Sequence, residues 1–256
     1  MENVFVVVPA RGGSKGLIGK NSMEVRKKTI TVRSIVHARH ITSDENIILS
    51  TDSKKIASEV ADFFKIKSYD LKLNCITDLG PFKIHFRDYS LSSDTTLIGE
   101  VLYSIRDLLI NSGRLIEIIC LLQPTSPFRS ISELNKIKQI ISDNGDATTS
   151  LVSVCSVDDM HPSRMYFLKP NGKLQELEGF YKYRSLRRQD LPSVYIRDGG
   201  FYLIGDNLVK SKVQYEAQPM SFLREYPWSI NIDGEADLII AQSVKSAELE
   251  DDPNEI

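Results

Sequence analysis

The sequence has little cysteine, no long apolar run and almost no net charge. None of its three cysteines forms a C-x-x-C pair, so neither a zinc site of that spacing nor a disulfide framework is predicted. No stretch approaches the roughly eighteen apolar residues of a transmembrane helix, and the short N-terminal run lacks signal-peptide features. The 32 basic and 34 acidic residues argue against general nucleic-acid binding. We therefore expect a cytoplasmic protein with reduced, buried thiols.

What is present is an alternation of apolar runs with helical periodicity. Buried strands are predicted at 4–8, 46–50, 115–122 and 147–154. Amphipathic helices are predicted at 30–41, 53–64, 97–109 and 131–141. This order indicates an α/β fold with a mostly parallel sheet between layers of helices.

The second half of the chain departs from this alternation. Asn171-Gly172 lies between two short runs and signals a β-hairpin. Further strands are predicted at 199–204 and 228–232, followed by a closing helix at 235–246. The acidic end, ELEDDPNEI, is predicted to be frayed.

Two segments before the second half are less regular. The hydroxyl-rich SSDTT at 92–96 offers N-cap side chains for the helix that follows it. Residues 65–92 give no clear pattern beyond Gly80-Pro81, which breaks regular structure.

The first loop, in VVVPARGGSKGLIGKN, concentrates glycine and positive charge directly after the first strand. Its glycines let backbone N–H groups approach an anion, while Arg11, Lys15 and Lys20 supply charge and Ser14 a hydroxyl. Ligands of open α/β sheets bind at such strand ends, so a polyphosphate site is predicted, with a solvated basic turn as the alternative. A P-loop is disfavoured because Ser14 and Asn21 replace its required glycine and Ser/Thr.

PARGGSKGLIGKN resembles the signature of the acylneuraminate cytidylyltransferases, which make CMP-sialic acid. Other segments are similar to motifs of that family in the same order: STD, FRDYSLSSDTT, LLQPTSPFR, HP, RRQDLP, GGFYL and SINIDGEADL. The resemblance covers about residues 4 to 240. It implies one Rossmann-like domain over 1–256, with a hairpin-containing arm at about 156–198 that builds a homodimer.

The resemblance also implies an activity: transfer of a cytidylyl group from CTP to a nine-carbon 2-keto sugar acid, with Mg²⁺ and release of pyrophosphate. The implied catalytic residues are Lys20, Arg11 and Asp233. The implied CTP contacts are Arg11, Gly13, Ser14, Lys15, Lys20, Asn21, Arg87 and Ser93. The implied sugar contacts are Gln123, Arg188, Arg197 and Tyr202.

The implied metal ligands are Asp233 and Asn231, and here the sequence departs from the family. The usual Asp-x-Asp reads Asn231-Ile232-Asp233, so one carboxylate becomes an amide. In a strand, positions two apart face the same side, so the pair could share an ion. Asp237 is expected to cap or face the closing helix instead.

Two other departures, Asp88 and Asp198, suggest a substrate other than N-acetylneuraminic acid, such as legionaminic acid, pseudaminic acid or a deaminated nonulosonate. The QPTSP prolines could merely shape a turn, and the basic stretch at 182–190 could be a solvated face or bind nucleic acid. His161, before a proline, is interpreted as structural. A 3-deoxy-manno-octulosonate cytidylyltransferase and a non-catalytic nucleotide- or sugar-binding homologue remain as alternatives.

Overall fold

The computed structural model describes residues 2–13, 17–157 and 160–255. Its first elements are β1 (Val4–Pro9), β2 (Glu24–Val25), β3 (Lys28–Thr29), α1 (Ile30–Ala38), β4 (Ile47–Thr51), α2 (Lys54–Phe63), β5 (Cys75–Leu79), β6 (Phe82–Phe86) and α3 (Ile98–Asn111). The elements that follow are β7 (Ile118–Leu121), α4 (Ile131–Asn144), β8 (Ser150–Ser156), β9 (Tyr166–Leu168), β10 (Leu174–Glu176), β11 (Tyr195–Gly205), α5 (Asp206–Lys210), β12 (Met220–Leu223) and α6 (Glu235–Ser243).

Within the described residues, eight strands form the main sheet in the order β12-β8-β11-β7-β1-β4-β6-β5. Parallel pairs join β1 to β4 and β7, β4 to β6, and β8 to β12. Only β11, between β7 and β8, and β5, at the edge beside β6, run the other way. The predicted α/β class with a mostly parallel sheet is therefore confirmed.

Alternating side chains of the strands bury both faces of the sheet. From β1, Val6 and Val8 pack with α1, α2 and α4, whereas Phe5 and Val7 pack with α3 and α5 on the other face. A fully buried strand needs apolar residues at every position, which explains why the run at 4–8 does not alternate with polar residues. Helices thus cover both faces and leave the strand ends open for a site.

Two unpredicted features lie between α2 and α3. Residues 75–86 form a hairpin of β5 and β6, in which Gly80 takes a φ of 60° at the turn. The SSDTT segment does not cap α3, because the N-cap residue is Leu97 and it makes no side-chain cap. The hydroxyl of Ser93 instead bonds to those of Thr95 and Thr96. The capping prediction was wrong because these hydroxyls bond to one another.

The strand predicted at 228–232 is also wrong. These residues form a turn and an irregular segment, and the strand of this region is β12. Ile232 is nevertheless fully buried, and its N–H donates to the Thr125 carbonyl at 2.7 Å. Burial against Phe128 and Leu249, rather than sheet pairing, explains the apolar pattern that indicated a strand.

The C-terminal tail, residues 249–255, is docked rather than frayed. Leu249 and Asp252 are fully buried, and Asn254 is nearly so. Acidic composition suggested a solvated end, but these carboxylates are paired with buried basic side chains. The prediction of a frayed tail is wrong for this reason.

The segment predicted to be an arm contains the hairpin of β9 and β10, with Gly172 in its turn at a φ of 78°. It joins the sheet where Tyr195–Arg197 of β11 pair with β8. Many of its large apolar side chains are exposed, among them Phe167, Leu168 and Leu174. Its role in a homodimer stays a prediction.

Two smaller expectations concern the thiols and membrane spans. Cys120 is buried and all three cysteines are free, but Cys75 and Cys155 are only partly buried, contrary to expectation. Among the described helices, none combines the length and apolarity needed to cross a bilayer.

Candidate active site

Four neighbouring parallel strands end at one edge of the sheet, and each is followed by a polar residue. Arg11 follows β1, Asp52 follows β4, Arg87 follows β6 and Gln123 follows β7. Arg11, Arg87 and Gln123 line one pocket of about 360 Å³. The parallel sheet therefore brings together side chains that are far apart in the sequence.

Two cations of this pocket, Lys20 and Arg11, are paired with exposed carboxylates. Lys20 Nζ lies 3.0 Å from Asp233 Oδ1, and Arg11 Nη1 lies 2.8 Å from Asp94 Oδ1. The Asp233 side chain is 72% exposed, while that of Lys20 is only 14% exposed. Exposed pairs are held by about 1 kcal/mol or less, so an incoming polyanion can replace the carboxylates.

The described parts of the first loop are anchored by hydrogen bonds to the rest of the domain. Asn21 donates from Nδ2 to the Arg11 carbonyl at 2.8 Å, and its own carbonyl accepts from Thr31 at 2.8 Å. The Gly12 N–H donates to Asp52 Oδ1 at 2.7 Å. Asn21 thus lines the pocket and also fixes the conformation of the loop. The predicted contacts Ser14 and Lys15 lie outside the described residues.

Arg87 lies at the floor of the pocket with its charge largely buried. Its Nη2 donates to the Ser50 carbonyl at 3.2 Å and its Nη1 to the Leu91 carbonyl at 3.3 Å. Burial lowers the pKa of the guanidinium to about 10, which still leaves it charged near neutral pH. Its buried Nε lacks a hydrogen-bond partner within the described residues, so the side chain retains a donor. Ser93 lines the same pocket.

The turn after β7, residues 122–129, is held from behind by three fully buried arginines. Arg129 donates to the carbonyls of Gln123, at 3.0 Å, and Ser126, at 2.9 Å. Arg33 donates to the Pro127 carbonyl at 2.9 Å, and Arg224 donates to the Phe128 carbonyl at 2.7 Å. Their donors satisfy the carbonyls of a turn that forms no regular structure, and so fix the backbone that carries Gln123.

Carboxylates compensate the charge of Arg224. Glu133 and Asp198 lie 2.9 and 2.8 Å from its guanidinium nitrogens. Burial works to lower the pKa of Arg224, but the two carboxylates outweigh it and hold the pKa above its usual value. The pKa of Arg129 falls to about 9, first because of burial and then because of the charge on Arg224.

Asp198 therefore has a structural role that sequence reasoning missed. Its side chain is fully buried against Arg224, and it also accepts a hydrogen bond from the Ser153 hydroxyl. Asp88, the other acidic departure, accepts from the N–H groups of Ser90 and Leu91 and caps a short turn. Neither contact involves the pocket beside Gln123, so these two residues do not support the inference of an altered sugar.

Gly199 lies against the side chain of Gln123. It has a φ of 76°, and a Cβ at this position would come within 2.7 Å of Gln123 Oε1. It falls inside the irregular stretch where the register of β11 shifts between Arg197 and Tyr202. The backbone conformation favours glycine here, and a Cβ would also displace the end of the Gln123 side chain.

Asn231 and Asp233 interact although they do not lie in a strand. Asn231 Nδ2 donates to Asp233 Oδ2 at 2.7 Å. This contact turns the Asn231 Oδ1 inward, where it is buried and lacks a partner among the described residues. Asp237 accepts from the N–H groups of Asp233 and Gly234, so its predicted capping role is confirmed.

Three predicted sugar contacts lie away from this pocket. Arg197 places its guanidinium 4.5 Å from the ring centre of Tyr215, and Tyr202 stacks on the same ring at 6.5 Å. Arg188 lies on the arm, in the short helical turn Arg188–Asp190.

The predicted CTP contact Gly13 lines a groove that adjoins the pocket, together with Arg11 and Arg87. Of the predicted sugar contacts, only Gln123 lies in the same pocket as the described phosphate contacts Arg11, Lys20 and Arg87.

Two acidic residues of the site fall in segments that resemble motifs of the family, STD and FRDYSLSSDTT, but neither was named as a contact. Asp52 accepts a hydrogen bond from the Gly12 N–H. Its position directly after a buried strand could have indicated that it lies at the site. Asp94 pairs with Arg11 across 83 positions, which no local pattern could indicate. His161 is buried and bonds to Ser163, in agreement with its structural interpretation.

Comparisons with known proteins agree with this arrangement. The family profile described as cytidylyltransferase matches residues 5–226. The CMP-N,N'-diacetyllegionaminic acid synthase of Legionella pneumophila is 26% identical over 246 residues, covering 94% of this chain and 95% of that protein. The pseudaminic acid cytidylyltransferase of Campylobacter jejuni is 27% identical over 205 residues, covering 79% of this chain and 78% of that protein.

A solved structure shares the fold. The chain superposes on CMP:2-keto-3-deoxy-manno-octonic acid synthetase complexed with CTP with a TM-score of 0.58 and 14% identity, covering 96% of this chain and 99% of the other. The profile match spans most of the chain and includes the strand ends that build the pocket. The chain belongs to the cytidylyltransferase family.

Proposed function

We propose that this chain is a CTP-dependent cytidylyltransferase that activates a nonulosonic acid as its CMP-sugar and releases pyrophosphate. The observation that carries the proposal is the joining of Arg11, Lys20 and Gln123 in one pocket at the strand ends. Two relatives that cover most of the chain are named for nonulosonic acids, which favours this substrate class. CTP is an intracellular nucleotide, so the proposal places the reaction in the cytoplasm.

The phosphate side of the pocket supplies charge stabilisation. Lys20 and Arg11 exchange their exposed carboxylate partners for phosphate oxygens when CTP binds. Arg87 adds a buried positive charge from the floor. As the anomeric hydroxyl of the sugar attacks the α-phosphate, negative charge grows on the leaving pyrophosphate, and fixed cations stabilise it.

A magnesium ion fits this site through Asp233. The carboxylate is exposed and lines the pocket, whereas the inward-facing oxygen of Asn231 does not offer a second ligand there. Mg²⁺ is usually held by one or two carboxylates together with phosphate oxygens and water, so one exposed carboxylate is sufficient on the protein's side. Such an ion would neutralise charge on the phosphates of CTP.

The sugar side is proposed to be completed by a second copy of the chain. Gln123 is placed to read the sugar acid, but Arg188 and Arg197 do not line this pocket. The arm exposes Phe167, Leu168 and Leu174, which a homodimer would bury. A partner's arm would then deliver an arginine to the sugar carboxylate, a pairing that suits the guanidinium fork.

Two other functions are less favoured. A 3-deoxy-manno-octulosonate cytidylyltransferase is supported by the likeness to a solved structure, which at 14% identity concerns the fold alone. Asn231, which replaces a carboxylate, suggests a non-catalytic homologue. Two cations in the pocket, Arg11 and Lys20, instead favour catalysis.

The test is pyrophosphate release from CTP and Mg²⁺ with a panel of sugar acids, with each CMP-sugar identified by mass spectrometry. The panel contains N,N'-diacetyllegionaminic, pseudaminic, N-acetylneuraminic and 3-deoxy-manno-octulosonic acids. We expect release with at least one nonulosonic acid and none when UTP or ATP replaces CTP. CTP binding without product from any sugar would favour the non-catalytic homologue, and product from the octulosonic acid alone would favour the other synthetase.

A further inference from the structure

The docked tail ends in a carboxylate cluster behind the active site. Asp252 is fully buried, with Oδ2 at 2.8 Å from Arg33 Nη2 and Oδ1 at 3.0 Å from His37 Nε2. Glu255, four-fifths buried, lies 2.8 Å from Arg33 Nη1. Burial works to raise the pKa of Asp252, but His37 and Arg33 outweigh it and hold the pKa well below its usual value. The tail therefore carries negative charge at neutral pH.

From Asp252 a buried chain of hydrogen bonds reaches the turn that carries Gln123. His37 Nε2 lies 3.0 Å from Asp252 Oδ1 and 2.9 Å from the Asn254 side-chain amide, and Nδ1 lies 3.3 Å from Arg129 Nη1. Because a carboxylate only accepts and a guanidinium only donates, we assign the proton to Nε2, which donates to Asp252, while Nδ1 accepts from Arg129. Arg129 then donates from Nη2 to the Gln123 carbonyl at 3.0 Å. The contact with Arg129 requires a neutral imidazole whose Nδ1 accepts, and burial lowers the pKa of His37 to about 4, which keeps it neutral.

A second route leads from the tail to the same turn. Arg33 donates from Nε to the Pro127 carbonyl at 2.9 Å while its other two nitrogens contact Asp252 and Glu255. Both carboxylates that pair with Arg33 in the described part of the chain thus belong to the tail. A buried guanidinium without its counter-charges is strongly destabilised, so the tail determines whether Arg33 stays in place.

We propose that the tail, residues 249–255, is a positioning element of the sugar subsite, in which Asp252 orients the turn bearing Gln123 through His37, Arg129 and Arg33. No residue of the tail lines the pocket, so the tail acts through the two routes just described. The choice of the sugar subsite rests on the proposed function, whereas the coupling of the tail to the turn rests on the geometry alone. The tail also contacts Arg26 and Lys28, in the β2–β3 hairpin that follows the first loop, but within the described residues it does not contact Arg11, Lys20 or their carboxylate partners. The phosphate side is therefore expected to depend on the tail much less than the turn bearing Gln123.

The test compares Asp252→Asn, which removes the charge with little change in shape, with Glu250→Gln, which changes an exposed neighbour in the same tail. The first readout is hydrogen–deuterium exchange, which needs no substrate. Asp252→Asn is expected to raise exchange of the amides in residues 123–128 about tenfold or more while α3 changes little. Glu250→Gln is expected to leave both unchanged.

The second readout is kinetics with the sugar that the wild type uses. Asp252→Asn is expected to raise the sugar KM about 10- to 100-fold, as small misplacements of a positioning group do, and to leave the Kd for CTP within about twofold. If Asp252→Asn does not fold, Glu255→Gln replaces it, with smaller changes in the same direction.

Equal increases in exchange at 123–128 and in α3, or parallel losses of CTP and sugar affinity, would show that the tail only stabilises the fold and would overturn the proposal. Unchanged exchange at 123–128 would overturn it as well. If the wild type uses none of the sugars, the proposed function fails, and the exchange measurement still decides whether the tail positions the turn.

Discussion

The two sides of the pocket hold their positive charges in opposite ways. Lys20 and Arg11, on the phosphate side, are paired with carboxylates that reach solvent. Arg33, Arg129 and Arg224, behind the Gln123 turn, are fully buried and bonded to backbone carbonyls. The first kind of pair is weak and exchangeable, whereas breaking a buried pair costs several kcal/mol. The exposure of the carboxylate partners therefore separates Lys20 and Arg11, which can exchange them for a ligand, from the three arginines that hold the turn in shape. Arg87, which is buried on the phosphate side, does not follow this rule.

The largest expected effect comes from breaking a buried pair. Arg224→Met leaves the carboxylates of Asp198 and Glu133 without their partner, so the free energy of unfolding should fall by about 3–5 kcal/mol. Chemical denaturation monitored by circular dichroism measures it. The control is Arg187→Met, since that arginine is 75% exposed and pairs with Asp190, and it should cost less than about 1 kcal/mol. Similar losses in both variants would remove the distinction between the two kinds of pair.

The second effect concerns the exchangeable side. Lys20→Ala should lower kcat for pyrophosphate release about 100- to 1000-fold, because it removes one donor to the developing charge, while the free energy of unfolding changes little. Steady-state kinetics and denaturation measure the two quantities. Lys136→Ala, on an exposed position of α4, is the control. A fall in the free energy of unfolding together with kcat would mean that Lys20 stabilises the fold, as the buried arginines do.

The third effect is a pH dependence of stability that arises on the buried side. Burial lowers the pKa of His37 and of His85 from 6.5 to about 4. The unfolded chain takes up a proton on each imidazole below about pH 6.5, whereas the folded chain does so only near pH 4. The free energy of unfolding should therefore fall by up to roughly 3 kcal/mol per histidine as the pH drops through this window.

Urea unfolding at pH 7, 6, 5 and 4.5 measures this dependence. The charged groups facing His37 are Asp252, Arg129 and Arg33, and they remain charged throughout most of the window. His85→Gln should remove a large part of the slope, with the remainder arising from His37 and from His40, whose pKa burial also lowers. A stability that is flat between pH 6.5 and 4.5 would contradict the neutral imidazole required between Asp252 and Arg129.

The smallest expected effect is on an exposed pair in the pocket. Asp94→Asn removes the carboxylate that competes with phosphate for Arg11, so the affinity for CTP should rise by at most about fivefold. Isothermal titration calorimetry at low and high salt measures it, and the difference from wild type should shrink at high salt. A tenfold weaker affinity would instead make Asp94 a ligand-binding residue.

The strand ends that build the pocket were predictable, because buried parallel strands have a local signal. The runs containing Val6 and Leu121 are apolar without interruption, and the polar residues after them stand out. A resemblance to a known family assigned Arg11, Lys20 and Gln123, which the structure places in one pocket. The sequence therefore indicated the chemical role of each residue, although it did not indicate which residues lie beside it in space.

The buried network was not predictable, because its partners lie far apart in the chain. Asp252 and Arg33 are ion-pair partners separated by 219 positions in the sequence, and Arg224 and Glu133 are separated by 91 positions. The acidic residues and the proline of the tail favoured a solvated end. That prediction failed because composition contains no information about basic partners elsewhere in the chain. The same limit explains why Asp198 was interpreted as a sugar-facing departure when it is an ion-pair partner of Arg224.

The division between the two sides is tested most directly by the Kd for CTP, measured without sugar in wild type, Lys20→Ala and Asp252→Asn. Lys20→Ala should weaken CTP binding about tenfold or more, as loss of a charge-assisted contact does, and Asp252→Asn should leave it within about twofold. Equal weakening in both variants would contradict the account, because the buried network would then support the phosphate side as well.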